Sequence, residues 1–156
     1  MKIPAQLKHK PVIVSEDYDR IDGRNSGSEA KGLSLGLAQW NERGKVDISA
    51  KIWRHTGGKW SRQSEEMPLH RVLDLAILIC RSRLFFLERY KKDKSDHALP
   101  DRIGLQGGAM NVAVCEQNEH IGTDMELFDQ ALHNDDEILS ERFSILHGLL
   151  EQIKTL

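Results

Sequence analysis

The sequence predicts an α+β domain, a mostly antiparallel sheet (a three-strand meander plus one or two further strands) backed by a central helix and a C-terminal helix. Three observations predict it. Leu33 to Trp40 and Val46 to Trp53 alternate apolar with small or polar residues, the period of a half-buried strand. Gly57-Gly58 then offers the positive φ angles of a tight hairpin. In the second half, apolar residues recur at helical spacing from Leu69 to Tyr90 and again from Asp124 to Lys154. Strands clustered early and helices late give α+β.

Taken in order, residues 1–10 form a basic tail, and Pro11 to Val14 form a short strand. Residues 15–32 read as a long acidic and Gly/Ser-rich loop, longer than a plain connection needs. The first meander strand turns Leu33, Leu35 and Leu37 to one side. After a turn at Asn41 to Gly44, the second turns Val46, Ile48, Ala50 and Ile52 the same way. Trp60 to Met67 returns as an edge strand, with His55 opposite Trp60 and Trp53 opposite Arg62. Pro68 starts the central helix, whose middle, Leu75 to Cys80, is apolar all round and is expected to be covered on several sides. Lys91 to Asp96 closes it. A bend at Gly104, Gly107 and Gly108 leads to a strand from Ala109 to Cys115, and a helical segment over 124–155 breaks near Asn134, where Glu137 completes a capping box.

The 156 residues fit one domain. The formal charge is only −2, but it is segregated: residues 1–100 carry 19 Lys/Arg against 13 Asp/Glu, and residues 101–156 carry 3 against 11. No apolar run reaches the ~20 residues of a membrane span, and no apolar stretch of signal-peptide type follows the basic tail, so a cytoplasmic protein without a membrane partner is expected. Two cysteines, Cys80 and Cys115, cannot build a disulfide framework and are expected as buried thiols.

Strand parity gives the leading functional reading. If the aliphatic side chains face the helices, the indoles face away, among cations. From Arg43 to Arg62 there are six Lys/Arg and one Asp. Trp40, Lys51, Trp53, Arg54, His55, Lys59, Trp60 and Arg62 are therefore expected to form a basic aromatic face. Such a face suits a non-enzymatic binding module, with single-stranded nucleic acid stacked on the rings or a protein partner laid across them. The same tryptophans could simply brace the hairpin, or the acidic C-terminal helix could cover the basic face, in the same chain or in a homodimer.

The alternatives are a metal-assisted enzyme built on Asp17, Asp19 and Asp22, or a regulatory protein-interaction domain. The acids have the wrong spacing for a calcium loop. Gly23 to Ser28 lacks the Gly-Lys-Ser/Thr ending of a phosphate loop. None of the seven histidines pairs with another at helical metal spacing, so no metal ligand and no cofactor is assigned. His70 and Asp74, one helical turn apart, read as a polar anchor for the helix start or a general-base pair.

Leu33 to Asn41 together with Asp47 to Leu75 resembles a small bacterial family known only as a domain of unknown function. The likeness covers about residues 16–79, and it implies a cytosolic protein without naming an activity. Lys45-Val46-Asp47-Ile48 leading to Trp53, a Gly-rich hairpin and a strand running into a helix are also faintly similar to dimeric transcriptional coactivators that bind single-stranded DNA. Where those place a basic residue and a glycine before the last strand, this chain has Ser64-Glu65-Glu66.

Overall fold

The computed structural model describes residues 1–22, 27–91 and 97–156. The fold is α+β. Contacts within the chain divide it into two compact units, Met1–Ile77 and Leu78–Leu156.

The first unit is an antiparallel sheet in the order β1-β2-β3-β4, with β5 also paired to β3. The strands are β1 (Lys10–Glu16), β2 (Ala30–Leu37), β3 (Ile48–Thr56), β4 (Lys59–Trp60) and β5 (Glu66–Pro68). A 3-10 turn at Tyr18–Arg20 follows β1. β2 begins three residues earlier than the alternation implies and stops before Trp40; Val46 lies outside β3. Gly57 and Gly58 both take positive φ and set His55 opposite Trp60, as expected.

The returning strand is not continuous. Ser61 to Glu65 separates β4 from β5, with Gln63 N–H and the Ser64 hydroxyl bonded to Ser61. Arg62 is therefore not in the sheet. Across β3, Trp53 is instead opposite Gly32 of β2.

Register decides what each face carries. One face holds the rows Ile13–Leu35–Ala50–Met67, Ser15–Leu33–Ile52 and Lys10–Leu37–Ile48. The other holds Val14–Ser34–Lys51–Glu66, Pro11–Gly36–Ser49–Pro68 and Glu16–Gly32–Trp53. The parity expected from sequence is correct; the burial is inverted. Residues 1–9 supply Ile3 and His9 to the second face, where Trp53, Ser34 and Ser49 are buried. A Cβ on Gly32 would meet Ile3 Cδ1 at 2.6 Å, which shows how closely this segment lies. On the aliphatic face Ile13 is 63% and Ile48 52% exposed, and Leu35 and Leu37 are exposed too.

Helix α1 (Leu69–Glu88) starts directly after Pro68, as its sequence signals. It is not covered all round: Leu73, Leu75, Leu78, Ile79, Leu84 and Leu87 are exposed, and its one buried residue is Arg81.

Arg81 belongs to the second unit, where its guanidinium bonds Asp101 and the Ala98 carbonyl. The hairpin of β6 (Asp101–Leu105) and β7 (Gly108–Val112) stands where a single strand was expected. β6 is short, charged and interrupted by Gly104, so its alternation is faint. Helices α2 (Ile121–Asn134) and α3 (Asp136–Lys154) meet at Asp135, which caps α3 without a side-chain hydrogen bond; the Asn134–Glu137 capping box does not form. Phe86 packs on Phe128, centroids 5.2 Å apart, and Arg83 reaches Asp136 and Ser140. Both cysteines are exposed, contrary to expectation: the helix face carrying Cys80 is open, and Cys115 lies beyond the end of β7.

Candidate functional site

Two groups of residues in the first unit carry chemistry, and they differ in access. The first is a buried polar network on the covered sheet face. His9 lies 25, 40 and 57 residues from its three partners in sequence. Its Nδ1 is 3.2 Å from Glu66 Oε1 and 3.1 Å from Ser49 Oγ, and its Nε2 is 2.9 Å from Ser34 Oγ. Glu66 Oε1 also accepts from the Ser49 hydroxyl at 2.7 Å and the Gln39 amide at 2.9 Å, while Lys51 Nζ reaches Oε2 at 3.3 Å. The Trp53 indole donates to Ser34 Oγ at 2.8 Å. A proton on His9 Nδ1 serves Glu66, leaving Nε2 to accept from Ser34, so the whole set is satisfied.

Burial pushes the Glu66 carboxyl toward a higher pKa. The donors from Gln39, Ser49, His9 and Lys51 outweigh it and hold the group below the usual glutamate range.

Ser34, His9 and Glu66 thus follow the hydroxyl–imidazole–carboxylate order of an activated nucleophile. The setting does not suit that chemistry. Ser34 is buried, its oxygen already receives the indole N–H, and Trp53, 1% exposed, lies edge-on to His9 at 5.8 Å. The Ser34 hydroxyl, on a residue 4% exposed and already committed to the indole and to His9, is not presented to a carbonyl substrate. What the network does is fasten the amino-terminal segment to three strands.

The second group lines an open cleft of about 720 Å³ between the end of β2, the start of β3 and the first turn of α1. Ile48, Pro68, Leu69 and Val46 provide apolar surface, and Trp40, Lys45, Asp47, His70 and Arg71 provide most of the rest; Glu66 also borders the cleft, although its carboxylate is turned into the buried network. Trp40 is 37% exposed; its indole nitrogen donates to Asp47 Oδ2 at 3.0 Å, which fixes the ring at the cleft wall. Asn41 clasps the Asp47 backbone in both directions, so the loop carrying Trp40 is tied to the strand it faces. Lys45 stands 3.4 Å from Asp47 with most of its side chain in solvent. Arg71 is exposed, and no acid among the described residues pairs with it.

The residues expected to share one basic aromatic face do not do so. Trp53 is sealed, and Lys51 lies over its ring at 4.7 Å while bound to Glu66, the place sequence parity gave to Arg62. Arg54 is held by Glu29 and Glu65, which raise its pKa, and in turn it lowers that of Glu65. His55 and Trp60 stack edge to face at 5.3 Å, with Lys59 and Arg62 exposed nearby in sequence. Trp40 is at the other end of β3, roughly 26 Å from that pair along a strand rising about 3.3 Å per residue. Strand length separates them.

The acidic-loop residues are also occupied. Asp17 pairs with the Met1 amine, Asp19 with Lys31 at 2.8 Å, and Asp22 accepts from Ser28 at 2.7 Å. Among the described residues no group of three or more His, Cys, Asp or Glu could hold a metal ion. Gly23 to Ser26, part of the phosphate-loop comparison, lie outside the described residues. No hydrogen bond joins His70 to Asp74; His70 lines the cleft instead. Sequence reasoning missed the His9 network. Its signal was two serines and a glutamate in register with the tryptophan on the non-aliphatic side of the strands.

A family model described as a family of unknown function, DUF6530, matches residues 1–155. The chain belongs to that family. The match takes in the DUF6530 helical region as well as the sheet, well beyond the 16–79 span that the sequence resemblance suggested. No curated protein and no solved structure matches the chain significantly. Among the described residues no helix is long and apolar enough to cross a membrane.

Proposed function

We propose that the protein is a non-enzymatic binding module whose ligand site is the Trp40 cleft, and that it takes single-stranded nucleic acid there, a base against the indole and its phosphates toward Lys45 and Arg71. The observation that carries this reading is an exposed indole held rigidly beside two cations at the mouth of an open, partly apolar cleft. A volume near 720 Å³ lies in the range of small-ligand sites and is ample for one nucleotide. Stacking of an unpaired base on an aromatic ring contributes ~1–3 kcal/mol, and phosphate contacts make affinity fall with salt. The burial of the Ser34 hydroxyl and the His9 ring supports a binding rather than a hydrolytic role.

The test is titration of the purified protein with single-stranded oligonucleotides at low and moderate salt, followed by tryptophan quenching. Trp40→Ala and Arg71→Glu should each weaken binding by about tenfold or more, within the stacking range, and the affinity should fall with salt. Affinity absent at both salts, or indifferent to both substitutions, rejects the proposal.

A further inference from the structure

Glu66 belongs to both groups of residues described above. Its side chain is 1% exposed within the network, yet the residue borders the Trp40 cleft. One oxygen, Oε1, takes donors from three parts of the chain: His9 Nδ1 at 3.2 Å, the Ser49 hydroxyl at 2.7 Å and the Gln39 amide at 2.9 Å. His9 comes from the amino-terminal segment, Ser49 from β3, and Gln39 from the loop whose next residue is Trp40.

The bonds of that loop show what the Gln39 contact adds. Ala38 N–H, the Trp40 indole and the Asn41 side chain all bond Asp47, which ties the loop to its own far end. The Gln39 amide reaches instead to β5. Just beyond Glu66 the chain enters the cleft lining again, with Pro68, Leu69, His70 and Arg71 at the start of α1. Glu66 thus joins the two stretches of chain that carry the indole and the arginine, and His9 helps to pin Glu66.

We infer that the amino-terminal segment regulates the Trp40 cleft through Glu66, keeping it fit for a ligand while His9 is docked and weakening it when the segment lifts away. As to the ligand, this rests on the reading proposed above. Two effects act in the same direction. A carboxylate that loses the His9 donor is held by fewer partners, so it holds Gln39, and with it the backbone entering Trp40, less firmly. The same carboxylate, no longer drawn into the network, is a negative charge bordering the place where phosphates would lie, and like charges repel. Coupling between sites is reciprocal, so a bound ligand favours the docked segment by the same factor. His9 and Glu66 are therefore positioning residues.

The Trp40 indole N–H gives its own signal in a proton–nitrogen correlation spectrum of the full chain, assigned with Trp40→Phe. That N–H bonds Asp47 and not His9, so a change at His9 reaches it through the Glu66–Gln39 contact. His9→Leu, which removes the donor to Glu66, should shift this signal with no ligand present. It should also weaken binding of a single-stranded oligonucleotide at least about fivefold, the low end of ordinary coupling. His9→Asn, whose amide can stand in for Nδ1, should restore both toward wild type. Ile3→Ala loosens the segment where it lies against Gly32 rather than at Glu66, and should move the Trp40 signal the same way by less. A Trp40 signal that keeps its wild-type position in His9→Leu and in Ile3→Ala overturns the inference, as does oligonucleotide affinity unchanged by His9→Leu. If His9→Leu fails to fold, Ile3→Ala decides. An oligonucleotide that does not bind the wild type rejects the ligand reading, and the Trp40 signal, read without ligand, still decides the coupling.

Discussion

The two faces of one sheet have opposite fates here. On the face with serines, glycines, a lysine, two glutamates and one tryptophan, Ile3 and His9 close over Ser34, Ser49 and Trp53, whereas on the face with leucines and isoleucines Ile13, Leu35, Leu37 and Ile48 are exposed. Hydrophobicity alone would assign them the other way. The difference teaches that small residues matter as much as apolar ones in deciding where a segment can lie. Gly36 admits the backbone so closely that a Cβ there would stand 2.1 Å from the Lys10 carbonyl oxygen. The polar atoms on that face are tolerable because each finds a partner within the network.

The sharpest way to break the comparison is to truncate one large residue on each face. Trp53→Ala should cost about 3–5 kcal/mol of unfolding free energy in urea, as large buried side chains do. Leu35→Ala should cost under about 1 kcal/mol, because the Leu35 side chain already keeps much of its contact with water in the folded chain. Equal costs would erase the distinction between the faces.

Glu66→Ala should rank next, at about 3 kcal/mol, since it strips the carboxylate from buried His9 and Lys51. Ser34→Ala should cost about 1–3 kcal/mol by leaving the Trp53 N–H and His9 Nε2 without that oxygen. A double-mutant cycle between Ser34→Ala and Glu66→Ala should show coupling above about 0.5 kcal/mol, because both feed one network. Strict additivity would mean that His9 does not connect them.

The smallest effect is a pH dependence. The Glu66 pKa is lower in the folded chain than its usual value of 4.5. Its contribution is therefore present in full above that value and is lost as pH falls through the lower folded value. Urea midpoints measured between neutral pH and pH 3 should drop for the wild type and drop less for Glu66→Gln. Parallel curves would remove Glu66 from the acid response.

Much of this was legible in the residues. Alternation placed Leu33, Leu35 and Leu37 opposite Ser34 and Gly36, Gly57-Gly58 placed the hairpin, and Pro68 placed the start of α1. What alternation cannot supply is the identity of the cover. A period of two separates sides without ranking them, and His9 reaches its face from 25, 40 and 57 residues away. Alternation extends the strand to Trp40 although β2 ends at Leu37, and the cleft that Trp40 shares with His70 and Arg71 joins segments that sequence spacing does not bring together. The open apolar side of α1 and the exposed cysteines have the same origin: spacing reveals a stripe, and only neighbours determine whether it is buried.

The long reach of His9 also bears on the order of events at the ribosome. Translation delivers the clasp first and its seat last, since Ser49 and Glu66 emerge only after forty and fifty-seven more residues have been added. Throughout that interval His9 lacks two of its three side-chain partners, and in the folded protein amide exchange along residues 1–9 should report the opening of this latch before the strands themselves give way.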